Sequence, residues 1–559
     1  MKINSSLFQK FSRIQFTGTP GGVDILAIDR IASSLPDRSV VYITLDDKKL
    51  STAFNTLKAF GSDVTVLDFP AWDCLPYDRV SPNPELTGRR LNTLLRLNNR
   101  LEKNIKTPII LLTTVNAILQ KVPSRKQFSN VVFNADAKQN INLDKLAKFL
   151  SSNGYIRTGT VREPGEVAFR GGIIDIYPPG AAMPVRLDLI GNLIDEIRRF
   201  DPVDQRSLDV IKTISLQPLR EYQLNKESIS RFRERYRERF GNIVDDPLYE
   251  TISEGRTIAG LEHWLPLINQ NLETLTDFLT NPVLVFEHQC EQAIAARHEL
   301  IKDFYDARIS FLNVSSQTKN KIGKTQIYRP LPPDQLYLME SSWEVLLESY
   351  TNCSLTPFKS PGSGSSNNYD QVIDFGGLIG PEFSSIRNTQ NLKNTTDEKP
   401  ESYLTSVAKL IHEEHQQGRK VAIAAHSSGS RDRMITLLEE HGITEFSMLD
   451  SWNEFLDIPI SSTGLFVLGI ERGFRLKNTT VLSEQDIFGE RIVQNRRRRR
   501  ADAFLTDTSE LVTGDYVVHV EHGIGCYEGL ETVRAGGTPH DCLRLIYAGN
   551  DRLFIPVEN

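Results

Sequence analysis

Few residues in this sequence combine the types and spacings that chemistry demands. Gly323-Lys324-Thr325 has the ending of a phosphate-cradling loop. Such a loop also needs a glycine six residues before the lysine and a buried strand ahead of it. Thr318 stands at the glycine position and 315–320 is polar, so an exposed loop is the stronger reading. Thr17-Gly18-Thr19-Pro20-Gly21-Gly22-Val23-Asp24 has the glycines but no lysine. Its Pro20 lacks an N–H, and Asp24 would set negative charge beside a phosphate, so a ligand-free turn is favoured. His519, His522, Cys526 and Cys542 match no zinc-finger spacing, and no metal site is assigned to them. Arg496, Arg497, Arg498, Arg499 and Arg500 carry enough charge to contact phosphates, but the run lacks interleaved aromatics. It reads equally as a solvated linker. No Ser/His/Asp or Cys/His nucleophile set and no catalytic carboxylate pair stands out, so no catalytic residue and no cofactor are assigned.

The most informative residues lie in a run of short strands. In Val185-Arg186-Leu187-Asp188-Leu189-Ile190, period-two alternation turns Val185, Leu187 and Leu189 toward a core. Arg186, Asp188 and Ile190 then share the outer face. In Glu166-Val167-Ala168-Phe169-Arg170, Val167 and Phe169 point inward and Arg170 outward. Two arginines and an exposed isoleucine on one sheet face have the makings of an interface; an isolated exposed isoleucine is also common.

The elements that position these residues fall into several units. The 559 residues allow about four domains at roughly 150 residues each. The hydrophobic share of 39% supports real cores, and the net charge of −6 argues against a dedicated nucleic-acid coat. Five cysteines without a C-x-x-C pair fit a reducing, cytoplasmic setting. No apolar run reaches the length of a membrane span, and the first residues lack a signal-peptide core.

Strand-like runs at 39–45, 64–69 and 108–113 alternate with helical patterns such as Leu91, Leu94, Leu95 and Leu101, which predicts a parallel sheet. Gly171-Gly172 and Gly191-Asn192 each separate two alternating strands, which predicts antiparallel hairpins. The expected organisation is α/β and α+β multidomain: an α/β domain at 1–130 and 218–358, an inserted hairpin domain at 131–217, a polar linker at 359–400, a small α/β domain at 401–488, a basic linker at 489–510, and a small C-terminal β-barrel of SH3/Tudor type at 511–559.

Three sets of residues carry a family resemblance. Gly154-Tyr155 with Glu163-Pro164-Gly165-Glu166-Val167-Ala168-Phe169-Arg170-Gly171-Gly172-Ile173-Ile174-Asp175-Ile176-Tyr177-Pro178 resembles the module shared by UvrB and the bacterial transcription-repair coupling factors (Mfd). Gly514 to Gly525 and Tyr547 to Val557 resemble the CarD-like, RNA polymerase-interacting module, which UvrB lacks. Phe69-Pro70-Ala71-Trp72, Leu75-Pro76-Tyr77-Asp78 and Ala259-Gly260-Leu261-Glu262-His263-Trp264-Leu265-Pro266 are similar to that family too. The resemblance covers nearly the whole chain and corresponds to the N-terminal part of such a factor.

It implies UvrB-like domains, a middle α/β domain and a polymerase module. Its partners would be the RNA polymerase β subunit and UvrA, with double-stranded DNA engaged mainly by the ATP-driven translocase motor that the family carries next. The motor's ATP and magnesium site, its helicase motifs and the domain that masks the UvrA surface are not recognised in these 559 residues. The resemblance therefore implies a non-enzymatic adaptor in DNA repair; the alternative is a nucleotide-dependent repair enzyme of UvrB type. It aligns Arg170, Arg186 and Ile190 with UvrA-binding residues, Ile190 replacing an aromatic, and Val533 with a leucine that holds polymerase β. On this reading, alanine at Arg170 or at Arg186 should weaken UvrA binding without lowering the melting temperature.

Overall fold

The computed structural model describes residues 3–128, 132–241, 246–317, 328–359, 369–381, 383, 403–488, 514, 516–519, 523–535, 538–547 and 551–556. The first unit is built on a seven-stranded sheet in the order Gln371–Asp374, Arg13–Thr17, Thr351–Leu355, Val283–Phe286, Val40–Thr44, Ile109–Thr114 and Thr65–Phe69. All its pairs are parallel. Val40–Thr44 and Ile109–Thr114 are buried at every position, as a parallel sheet covered on both faces requires. Helix Val23–Ser34 packs over one face. Helix Pro84–Glu102, with Pro84 in its first turn and the Asn83 side chain accepting from the Glu85 N–H, packs over the other. Leu91, Leu94 and Leu97 are its buried leucines.

The hairpin unit is a six-stranded sheet ordered Ser207–Ile211, Leu193–Phe200, Val185–Ile190, Ile173–Ile176, Glu166–Arg170 and Ile156–Arg157. Its turns fall where the glycines predict, with Gly171 at φ 59° and Gly191 at φ 65°, a region that favours glycine. One face packs on helix Leu143–Ser152 through Leu146, Leu150, Ile174, Leu187 and Ile197. The unit is joined to the first one at Gln217, whose Nε2 donates 3.1 Å to the Gly88 carbonyl and 2.9 Å to the Pro179 carbonyl. Next to that joint, Arg90 and Glu221 form an ion pair with both side chains fully buried, and Arg90 also donates 2.8 Å to the Pro70 carbonyl. A Cβ on Gly88 would lie 2.1 Å from Pro179.

The second α/β unit orders its strands Leu378–Ile379, Phe474–Leu476, Thr479–Ser483, Lys420–Ala425, Thr463–Val467 and Phe446–Met448. The segment expected as a linker, 359–400, is not one throughout. Gln371–Asp374 joins the edge of the first sheet and Leu378–Ile379 the edge of the second. Val372 and Phe375 are buried, so a short apolar stretch docked on a sheet edge outweighs the polar composition around it.

The C-terminal strands Tyr516–His519, Gly523–Ala535, Thr538–Ile546 and Arg552–Pro556 form an antiparallel meander around Tyr527, Leu543 and Leu545. Among the described residues its two outer strands do not pair with each other, so these residues show a four-stranded antiparallel sheet and leave the expected barrel unconfirmed. Alternation along each strand specifies pairing but says nothing about closure, which depends on strand tilt and stagger.

Candidate partner-binding face

The solvent side of the hairpin sheet assembles the residues picked out by alternation. Strand register sets Ala168 opposite Asp175, Asp175 opposite Arg186, Arg186 opposite Arg198 and Arg198 opposite Val210, one row across five strands. The adjacent row runs Arg170, Ile173, Asp188 and Glu196. Arg170 and Arg186 converge on one carboxylate. Arg186 donates from Nε to Asp175 Oδ1 at 2.7 Å and from Nη2 to Oδ2 at 3.0 Å, a bidentate fork. Arg170 donates from Nη2 to the same Oδ2 at 2.9 Å.

These three side chains differ in exposure. That of Asp175 is 1% exposed, that of Arg186 17% and that of Arg170 45%. Arg186 is held further by a 3.3 Å bond to the Gln205 carbonyl and by the Phe200 ring, whose centroid lies 4.7 Å from its guanidinium carbon. Its hydrogen bonds to Asp175 raise its pKa above the ordinary guanidinium value. Phe200 belongs to a small cluster with Val161 and Ala168, so this part of the outer face is itself packed. Ile190, at 66% exposure, stands beyond an irregularity at Asp188/Leu189.

Two members of this face were not singled out in the sequence. Asp175 lies between Ile174 and Ile176 and reads as a polar interruption of a strand; counting across the Gly171-Gly172 turn would have set it opposite Ala168. Arg198 donates 2.7 Å to Glu196 and lies 3.6 Å from Asp188, on the same face as Arg186. Leu193–Phe200 does not alternate in polarity, so the sequence carries no clear signal for it.

Val533 is half-buried and sits opposite His540 in the long C-terminal hairpin. Strand Tyr516–His519 pairs only with 523–526, so among the described residues the Val533 end of its strand is paired on one side only.

The N-terminal glycine turn precedes helix Val23–Ser34, where a phosphate would sit in a nucleotide fold. That place is filled from within. Asp24 Oδ1 accepts from the Gly22 N–H at 2.7 Å and the Ile25 N–H at 2.8 Å, and Tyr42 donates 3.2 Å to Oδ2. Burial pushes the Asp24 carboxyl up to about 6. The Phe474 ring of the second α/β unit lies 2.6 Å from where a Cβ on Gly22 would be. Glu471 pairs with Lys48 at 2.6 Å and Lys49 at 3.7 Å, and a cavity of about 180 Å³ remains among these groups. Glu287, 3.9 Å from Lys49, is pushed up to about 7, chiefly by burial. Lys324, the Arg496 to Arg500 run and His522 lie outside the described residues. Cys526 and Cys542 sit opposite Ile546 and Glu531, and no cluster of three metal-ligating side chains occurs among the described residues. Nor is any described helix long and apolar enough to cross a membrane.

Three family models match the chain: the UvrB interaction domain at 133–222, the MFD D3 domain at 414–487 and the CarD-like/TRCF RID domain at 511–559. Curated relatives are transcription-repair-coupling factors. That of Haemophilus influenzae is 30% identical over 547 residues, covering 96% of this chain and 44% of the relative. Those of Rickettsia bellii and Escherichia coli are each 27% identical, covering 93% of this chain and 43% and 42% of the relatives. The resemblance read from the sequence is thus borne out, and the chain spans less than half the length of the curated relatives it matches.

Proposed function

We propose that this chain is the partner-binding portion of a transcription-repair coupling factor, an adaptor that engages RNA polymerase β through its C-terminal sheet and UvrA through the outer face of its hairpin sheet. It would thereby recruit excision repair to DNA lesions at which polymerase has stalled. The observation that carries this reading is the arginine pair on Asp175, with the exposed Ile190 on the same sheet, within the segment that matches a UvrB interaction domain. A guanidinium with unspent donors, as on Arg170, and an exposed aliphatic on one sheet are common components of interfaces. The match at 511–559 supports the polymerase reading, and the strand edge near Val533, paired on one side only among the described residues, supports main-chain pairing with a partner strand. A small β-barrel of SH3/Tudor type remains our reading of that module.

ATP-driven DNA translocation, by this reading, is the work of the longer factor. The Gly18–Asp24 turn acts structurally, because Asp24 already occupies the N–H groups that a phosphate would need. The reading also places the protein in the cytoplasm.

The test is paired. Arg170→Ala should weaken UvrA binding by about tenfold or more, and Val533→Arg should abolish capture of polymerase β because it sets a charge in an apolar contact. Ile190→Phe, which adds an aromatic anchor, should hold or strengthen UvrA binding. A nucleotide titration of the same chain decides against the UvrB-type enzyme if no saturable ATP binding occurs.

A further inference from the structure

We infer that Asp175 is the positioning residue of the UvrA face: it aims Arg170 at the partner and consumes Arg186 as a support. The inference rests on the reading of this face as the UvrA site. A guanidinium has five N–H donors. Arg186 commits Nε and Nη2 to Asp175 and Nη1 to the Gln205 carbonyl, and its plane lies on the Phe200 ring. At 17% exposure it has little left to offer a partner. Arg170 commits only Nη2 among the described bonds, and at 45% exposure it can present the rest of its fork.

The shared atom is Asp175 Oδ2, which accepts from both arginines at 2.9 Å and 3.0 Å. Arg186 fixes the carboxylate, and the carboxylate fixes the Arg170 guanidinium near the strand end. A free arginine loses about 2 kcal/mol of rotamer freedom when a partner captures it; one already held in place loses less. Asp175 therefore aids binding although its charge opposes that of the arginines. That makes the sign of its substitution diagnostic. If the face worked by net charge, neutralising Asp175 would tighten binding to an acidic partner. If Asp175 works by aiming, neutralising it weakens binding.

The experiment measures the affinity of the 559-residue chain for purified UvrA in parent, Arg170→Ala, Arg170→Lys, Asp175→Asn and the Arg170→Ala/Asp175→Asn double variant, with circular dichroism of each. Arg170→Ala is expected to lose about tenfold or more, Asp175→Asn nearly as much, and the double variant no more than the worse single. Arg170→Lys, which keeps the charge and loses the fork, is expected to bind close to Arg170→Ala. Unchanged affinity in Arg170→Ala would overturn the reading of the face as the UvrA site. A weak Arg170→Ala beside an Asp175→Asn that binds as well as the parent, or single losses that multiply in the double variant, would overturn the positioning role and leave that reading standing. If Asp175→Asn does not fold, Arg170→Lys decides: parent-like binding overturns the aiming of a fork.

Discussion

Arg186→Ala and Arg170→Ala look equivalent in the sequence, but the structure separates them. Removing the Arg186 side chain deletes two bonds to Asp175, at 2.7 and 3.0 Å, one to the Gln205 carbonyl and the stack on Phe200. Asp175, almost wholly buried, would keep a single bond from Arg170. Breaking a buried ion pair by removing one partner costs about 3–5 kcal/mol. Arg186 is partly exposed and Arg170 remains, so about 2–3 kcal/mol is the expected loss for Arg186→Ala. Arg170→Ala removes one bond from a well-exposed side chain and should cost no more than about 1 kcal/mol. The structure therefore predicts that Arg170→Ala leaves stability nearly untouched and that Arg186→Ala does not.

A melting temperature of the whole chain is a poor readout, because several units unfold separately. Native-state hydrogen exchange at the amides of Ile174 and Leu187 reports the opening of this sheet directly. Arg186→Ala should lower their protection by about thirtyfold or more, the ratio that corresponds to about 2 kcal/mol, whereas Arg170→Ala should move it by less than about fivefold. Equal protection in the two variants would refute the reasoning.

Other consequences are as specific. Arg90→Ala would leave Glu221 buried with only the Trp72 indole N–H as a side-chain donor and should destabilise the first unit by about 3–5 kcal/mol, read by exchange in helix Pro84–Glu102. Gly22→Ala should be destabilising, since φ is 89° and the new methyl would meet the Phe474 ring; Gly22→Ala combined with Phe474→Ala should recover the steric part of the loss and not the backbone part. Glu287 is raised from 4.5 to about 7, so the folded state binds a proton more tightly than the unfolded chain does. Its contribution to stability therefore falls as pH rises from about 4.5 to about 7 and is flat above that range. Glu287→Gln should flatten that slope in urea titrations at stepped pH.

Much of this protein is legible in one dimension. The Gly171-Gly172 turn pins the register of its hairpin, whereas an irregularity at Asp188/Leu189 shifts the one that follows Gly191-Asn192; period-two alternation within a strand still dictates which of its side chains share the outer face. Arg170, Arg186 and Ile190 follow from that alone, because a strand's side-chain direction is a local property. The parallel sheet of the first unit is legible in part, at Val40–Thr44, Thr65–Phe69 and Ile109–Thr114, which are apolar-rich runs between helical patterns.

What each side chain does there is decided in three dimensions. Arg170 and Arg186 are sixteen residues apart, yet they meet on Asp175 only because three strands lie side by side. Nothing local distinguishes the arginine that is spent on the fold from the one that is free to bind. The same holds at Gly22, whose neighbour Phe474 comes from another sheet, and at Gln371–Asp374, a strand whose polar surroundings hide it until a parallel edge offers it hydrogen bonds. Sequence periodicity reports the direction in which a residue points; burial, pairing and the closing of a site depend on which distant segment arrives in front of it.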